Sequence, residues 1–265
     1  YPLIIMIKFA IIIPAKNEEE NIGQTLESVA NQTYSPVCCL VVDDGSDDKT
    51  AEVTMGYQKK SPVFKYYHIK GEKRYILGGN VIRVFNEGMK FLESLNVEYD
   101  FIIKLDADVS FKDNFLEEVS KRINKEEWGV LSGTPYYIEN GKKVYEYSPL
   151  WHSHGQFKIY NKKYLEDVGG IDLSLGWDCS DNIKAIEAGW KTAAFRDIYY
   201  CMSRKVGGKS NLVKGRINHG KGAYQLGYDF LYLLLRAAHD IFKPPILRGS
   251  LSMVWGYISS FFDSK

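Results

Sequence analysis

Four short strand-like runs organise the first half of the chain: FAIIIP (9–14), CCLVV (38–42), FKYYHI (64–69) and FIIKL (101–105). Each ends in a polar or glycine turn and gives way to helical spacing. Continuous apolar runs mark strands covered on both faces. Strand–helix units repeated at this length predict an α/β fold with a mainly parallel central sheet, right-handed crossovers and helices on both faces. Ligands of such sheets bind beyond the carboxyl ends of the strands. Three polar turns fall on that edge: Pro14-Ala15-Lys16-Asn17, Asp43-Asp44-Gly45-Ser46 and Asp106-Ala107-Asp108.

The helices follow from caps and stripes. Asn17 with Glu20 reads as a capping box, Glu18 and Glu19 complement the helix dipole, and Ile22, Leu26 and Val29 form the buried stripe. Further helices are expected from near Asp47, over 80–95, and around Phe115, Leu116, Val119 and Ile123. Beyond about residue 128 the elements become shorter and mixed. GVLSG, KKVYEY and GQFKIYN read as strands, 179–188 as a helix and TAAF (192–195) as a strand. The Gly-, Lys- and Arg-rich stretch from Ser203 to Gly222 predicts a mobile loop.

Two helical stretches close the chain, separated by Pro244-Pro245. Within 246–262 the apolar side chains at 247, 251, 254, 258 and 261 keep helical spacing. Such a stripe packs a helix onto its own domain or lays it on a bilayer surface as a peripheral contact. No segment reads as a spanning helix; YPLIIMI at 1–7 is too short and lacks the basic front of a signal peptide.

Composition narrows the class. With 34 basic and 33 acidic residues, the net charge of +1 removes a bulk electrostatic case for nucleic-acid binding. Cys38, Cys39, Cys179 and Cys201 have no CxxC spacing and are too few for a disulfide scaffold. A reduced, cytoplasmic setting is expected, with the inner face of the membrane as a further place of contact.

The chemistry centres on Asp106 and Asp108. Two carboxylates flanking a three-residue turn past a buried strand can hold a hard divalent cation, leaving positions for water and phosphate oxygens. The acids of Asp43-Asp44 lie on the same edge. Two acidic clusters side by side repel unless a cation or a ligand's donors sit between them.

In this order and spacing, IIIPAKNEEENI, LESVANQTY, VVDDGSDDKT, FNEGM, KLDADV, YLEDVGGID and GWD…AIEAGW resemble the inverting glycosyltransferases of family two, which have the GT-A fold. The resemblance is continuous over about 10–200 and implies a metal-dependent inverting transfer of a sugar from a nucleotide-diphosphate donor. The acceptor would be a hydroxyl or a lipid phosphate in glycan, polysaccharide or glycolipid synthesis. It implies a GT-A domain over 8–200, with a nucleotide-sugar-binding half at 8–108 and an acceptor-binding half at 109–200. Residues 201–265 would add the basic loop and C-terminal amphipathic helices. Pro14, Ala15, Asn17 and Glu18 would line the nucleotide pocket, and Asp43 or Asp44 would meet the base or ribose. Asp106 would face the ribose and donor sugar and join Asp108 in holding Mg²⁺ or Mn²⁺ on the diphosphate. UDP-sugars are the first expectation for the donor and GDP-mannose the second. The family's base stands eleven residues before a helix-ending glycine, as Asp178 stands before Gly189. Trp177 replaces the usual Glu, and Asp181 is the fallback base.

Other polar residues have weaker claims. His152-Ser153-His154 lacks zinc-like companions and fits a surface or acceptor-site role. His219 is a candidate addition to the metal shell. Lys205, Lys209, Lys214, Arg216 and Lys221 suit a basic lid over the diphosphate, an anionic lipid headgroup, or a plain solvated run. Arg83 and Arg74 are candidates for the pyrophosphate. Three other functions compete. A sugar-phosphate nucleotidylyltransferase would put a Gly-rich basic loop where this chain has PAKNEEE; a receiver domain would leave everything after 128 unexplained; a non-catalytic nucleotide-sugar-binding protein would bind donor without turnover.

Overall fold

A computed structural model describes residues 6–70, 79–173, 175–203 and 212–263. The first apolar run forms β1 (Phe9–Ala15), flanked by β2 (Cys38–Asp43), with β3 (Phe64–His68) beyond it. On its other side lies β4 (Phe101–Leu105), and all four strands are parallel. Side-chain alternation splits β1 between two cores. Phe9, Ile11 and Ile13 pack with Ile22, Leu26 and Val29 of α1 (Ile22–Ala30), whereas Ala10 and Ile12 pack with Ile82, Phe85 and Leu92 of α3 (Asn80–Ser94). Tyr57 of α2 (Thr50–Lys60) joins the first core. Gly88 of α3 lets that helix approach closely: a Cβ there would come within 2.8 Å of Ile12 and Val42.

The second half extends the same sheet. It adds β5 (Val109–Phe111), α4 (Phe115–Ser120), β6 (Trp128–Glu139), β7 (Lys142–Tyr145), β8 (Phe157–Asn161), α5 (Lys162–Val168), α6 (Trp177–Glu187) and β9 (Lys191–Met202). The strand order is β3-β2-β1-β4-β8-β6-β9-β5, with β7 paired to β6. Strand β8 runs antiparallel to β4 and β6, β5 runs antiparallel to β9, and β6 and β9 are parallel. The α/β architecture with helices on both faces is as expected.

Three local expectations are corrected. Asn17 does not cap α1; it adopts a left-handed φ of +54°, which Asn tolerates, and the helix starts at Ile22 after Asn21. The strand expected at 192–195 continues to Met202. Much of the expected loop over 203–222 is helix α7 (Leu212–Gln225), so Lys214, Arg216, His219 and Lys221 sit on a helix; Lys205 and Lys209 lie outside the described residues. Glycine serves close packing there. A Cβ at Gly220 would lie 1.8 Å from the Met253 carbonyl oxygen, and one at Gly256 would lie 2.1 Å from that of Ile217.

Helices α8 (Phe230–His239) and α9 (Arg248–Asp263) complete the chain. Asp229 caps α8, its carboxylate accepting from the Leu231 and Tyr232 amides. Helix α9 turns Met253 and the small residues Gly249, Ser250, Gly256 and Ser260 inward, where they are buried. Leu251, Trp255, Phe261 and Phe262 remain exposed, as does Leu247 just before the helix. The helix therefore packs through this face together with Val254, and the apolar stripe is split, with Val254 inside and Leu247, Leu251 and Phe261 outside. Among the described residues, no helix is long and apolar enough to cross a membrane.

Candidate active site

The turns after β1 and β2 are tied together. The Asn17 amide donates to Ser46 Oγ (3.0 Å), the Asp47 amide donates to Asn17 Oδ1 (3.0 Å), and the Glu18 amide donates to Thr50 Oγ1 (2.8 Å). Asp43, in register with Ala15, is buried. Its carboxylate accepts from the Ser46 amide (2.8 Å), Ser46 Oγ (2.6 Å) and the Tyr66 hydroxyl (2.7 Å). Burial pushes the Asp43 carboxyl up, but the hydrogen bonds from Ser46 and Tyr66 outweigh it and leave the group below its ordinary value.

Asp44 donates its amide to the Ala15 carbonyl (2.9 Å) and accepts from Arg83 through a 2.6 Å ion pair that is largely buried. Arg83 is thus committed to Asp44 through its terminal nitrogen, although its Nε is buried without a hydrogen-bond partner among the described residues. Arg74 lies outside the described residues.

Across β1, Lys104 of β4 is buried within an apolar strand and pairs with the Asp106 carboxylate and the Gly155 carbonyl (2.8 Å). The Asp106–Asp108 turn is pinned from three elements. The Asp106 amide donates to the Gln156 carbonyl (2.8 Å), Thr25 Oγ1 donates to the Ala107 carbonyl (2.8 Å), and the Ser203 amide donates to the Asp108 carbonyl (2.9 Å). Asp43 and Asp106 flank β1, two strand spacings or roughly 10 Å apart. Burial raises the Asp106 carboxyl; Lys104 opposes this, while Asp108 and Glu18 add to it. Carboxylates crowded in this way are a donor set that a hard cation relieves. No group of three or more His, Cys, Asp or Glu stands in ligating geometry among the described residues. Asp106 and Asp108, on one pinned turn, are two oxygen donors of the kind a hard divalent cation takes.

Asp178 lies in the first turn of α6 on a cavity of about 390 Å³, together with His152, Trp177, His219, Tyr228 and Arg236. The helix starts at Gly176, whose φ of +92° favours glycine and whose missing Cβ leaves room for Leu226. Gly155 connects the two halves of the site: its carbonyl holds Lys104, and a Cβ on it would come within 3.3 Å of Asp178. Asp181 is not placed on this cavity. It is buried, and its carboxylate accepts from Lys158 (2.6 Å), the Tyr160 hydroxyl (2.5 Å) and the Asn182 amide (3.1 Å). His219, exposed on α7, also faces the Asp178 cavity.

Sequence reasoning missed Lys104, Lys158 and the role of Trp177. The Trp177 ring lies over both ammonium groups, 5.2 Å from Lys104 Nζ and 5.3 Å from Lys158 Nζ. A signal was present: one lysine inside each of the strands FIIKL and FKIYN, which is stable only with a partner for the buried charge.

The family model described as glycosyl transferase family 2 matches residues 10–174, more than half of the chain. A 4,4'-diaponeurosporenoate glycosyltransferase of Staphylococcus haemolyticus is 28% identical over 172 residues, covering 63% of this chain and 40% of that protein. A poly-beta-1,6-N-acetyl-D-glucosamine synthase of Staphylococcus epidermidis is 25% identical over 207 residues, covering 69% and 45%. The chain thus spans less than half the length of either relative. In fold it is similar to residues 1–349 of Staphylococcus aureus TarS (TM-score 0.61, 19% identity, 97% of this chain and 72% of that one). It is also similar to a mannosyltransferase of Pyrobaculum calidifontis solved with GDP-Man and Mn2+ (TM-score 0.60, 16% identity, 96% and 73%). Strand order, acidic strand-end turns and family match agree: the chain belongs to glycosyl transferase family 2 and has the GT-A fold.

Proposed function

We propose that this glycosyltransferase is a divalent-metal-dependent, inverting hexosyltransferase. The observation that carries the proposal is the Lys104–Gly155 link, which sets the Asp106 turn and Asp178 on either side of one shared wall. The donor pocket consists of Pro14, Ala15, Asn17 and Glu18 with Asp43, Asp44 and Asp106. Asp44, held by Arg83, faces the base or ribose. Asp106 and Asp108 would hold Mg²⁺ or Mn²⁺, which when bound would neutralise charge developing on the leaving diphosphate.

Asp178 acts as the general base. It takes the proton of an acceptor hydroxyl as that oxygen attacks the anomeric carbon. The carbon–oxygen bond to the diphosphate breaks on the opposite face, and the nucleoside diphosphate leaves with the electron pair. Configuration inverts because the two bonds lie on opposite faces. Structures of TarS were solved with UDP and UDP-GlcNAc and the Pyrobaculum enzyme with GDP-Man, which supports a UDP-sugar as donor first and GDP-mannose second.

The acceptor is a glycan or a lipid-linked compound. The outward apolar stripe of α9, with Arg248 and Lys243 near its start, supports peripheral contact with the cytoplasmic face of a membrane. NMR of the first turnovers of UDP-α-glucose with Mn²⁺ and water as acceptor tests the stereochemistry. Release of β-glucose is expected; release of α-glucose would overturn inversion.

A further inference from the structure

The cavity holding Asp178 is larger than a proton transfer requires, and all of its lining except His152 comes from beyond the family match at 10–174. Its volume of about 390 Å³ lies within the roughly 300–1,000 Å³ of small-molecule sites. Helix α6 brings Asp178 and Trp177, α7 brings His219, Gly222 and Ala223, and α8 brings Arg236, with Leu226 and Tyr228 between the last two helices.

The polar groups are sorted by charge. Asp178 lies on α6, whereas the cationic Arg236 lies on α8 and its guanidinium makes no ion pair or hydrogen bond with any described residue. The half-buried Arg216, by contrast, is tied to Asp240 (2.9 Å). His219 lines the same cavity as Asp178 and Arg236. Leu175, Leu226 and the Tyr228 ring supply apolar wall.

An acceptor whose only feature is an attacking hydroxyl would leave this arginine unused. A nucleophilic phosphate would need no base and would be repelled by the Asp178 carboxylate. The arrangement fits a molecule with the hydroxyl at Asp178 and an anionic group elsewhere on the same molecule. Arginine is suited to it because its guanidinium forms bidentate hydrogen bonds with carboxylate and phosphate alike.

Building on the transferase function above, we infer that the α6–α7–α8 cavity is the acceptor subsite and takes a hydroxyl compound bearing a separate carboxylate or phosphate, with Arg236 as the residue that selects the anion. Arg236 is a specificity residue and takes no part in the chemical step.

Matched probes test this by calorimetry: octyl β-glucuronide against octyl β-glucoside in monomeric form, and glycerol 3-phosphate against glycerol. The first pair differs only by a carboxylate, the second only by a phosphate. The unmodified chain is expected to bind at least one anionic member about tenfold more tightly than its neutral mate. The Arg236→Gln variant should bring that pair to within about twofold, and Arg236→Lys should restore part of the preference. Arg236 is exposed, so neither change threatens the core, and His219→Gln should weaken both members alike. Equal binding within both pairs, or a preference that survives Arg236→Gln, would overturn the inference. Donor binding in the unmodified chain is read separately with UDP-glucose and Mn²⁺. Its loss would count against the transferase function, whereas donor binding without an anion preference would count against the acceptor subsite alone.

Discussion

Lys104 is buried in β4 and bonded to Asp106, so one side chain fixes both the acidic turn and, through the Gly155 carbonyl, the loop that touches Asp178. Removing the ammonium leaves Asp106 without its counter-charge. Breaking a buried ion pair costs about 3–5 kcal/mol, and the partial exposure of Asp106 brings the expectation down to about 2–3 kcal/mol. Urea unfolding of Lys104→Met should show this loss; stability within about 0.5 kcal/mol of the parent would mean that the pair is not structural.

Asp181 presents the stronger case. It is buried and accepts from Lys158, Tyr160 and Asn182, so Asp181→Asn replaces an acceptor of three hydrogen bonds by a group that must also donate. A loss of about 3–5 kcal/mol is expected by urea denaturation. A variant of parental stability that bound donor and failed to transfer would move the base from Asp178 to Asp181.

His154 makes stability depend on pH. Its imidazole is pushed down to about 4, by burial first and then by His152 and Lys158, and the ring also contacts Ser148 Oγ at 3.1 Å. The unfolded chain takes up the proton near 6.5, so it binds more protons than the folded chain between about 6.5 and 4. The stabilisation is therefore complete above 6.5 and is lost as pH falls toward 4, by about 2–3 kcal/mol from this group. Urea midpoints at several pH values should fall more steeply for the parent than for His154→Gln. Parallel curves would contradict the assignment.

The exposed stripe of α9 predicts membrane behaviour. Leu251 and Trp255 stand one helical turn apart on the outer face, so the double change Leu251→Ser and Trp255→Ser should remove about 3 kcal/mol of burial in an interface. Flotation with vesicles containing one-third anionic lipid should retain the parent and release the variant. Equal partitioning of the two would set the membrane contact aside.

The parallel half of the sheet was legible because β1, β2 and β4 are continuous apolar runs that only a doubly covered strand explains, and their polar ends mark the ligand edge. The failures share one physical origin, that tertiary contacts decided what local pattern suggested. Asn17 resembles a cap but is used to accept from the Asp47 amide on the next turn. The Gly-rich stretch resembles a loop, yet Gly220 and Gly256 allow α7 and α9 to pack with their backbones almost touching. Strand β5 has only three residues and exists by pairing with β9. At the site, the acids on strand ends were readable, whereas Lys104, Lys158 and Arg236 acquire meaning only once distant elements meet.

The most direct measurement of the central claim is the thermal shift of the parent, Asp108→Ala and Asp178→Asn with UDP- and GDP-sugars, each with Mn²⁺ or with chelator. The parent should be stabilised by a donor only with Mn²⁺, Asp108→Ala should lose that shift, and Asp178→Asn should keep it while losing transfer. A donor shift that ignores chelator in the parent, or survives in Asp108→Ala, would contradict the account.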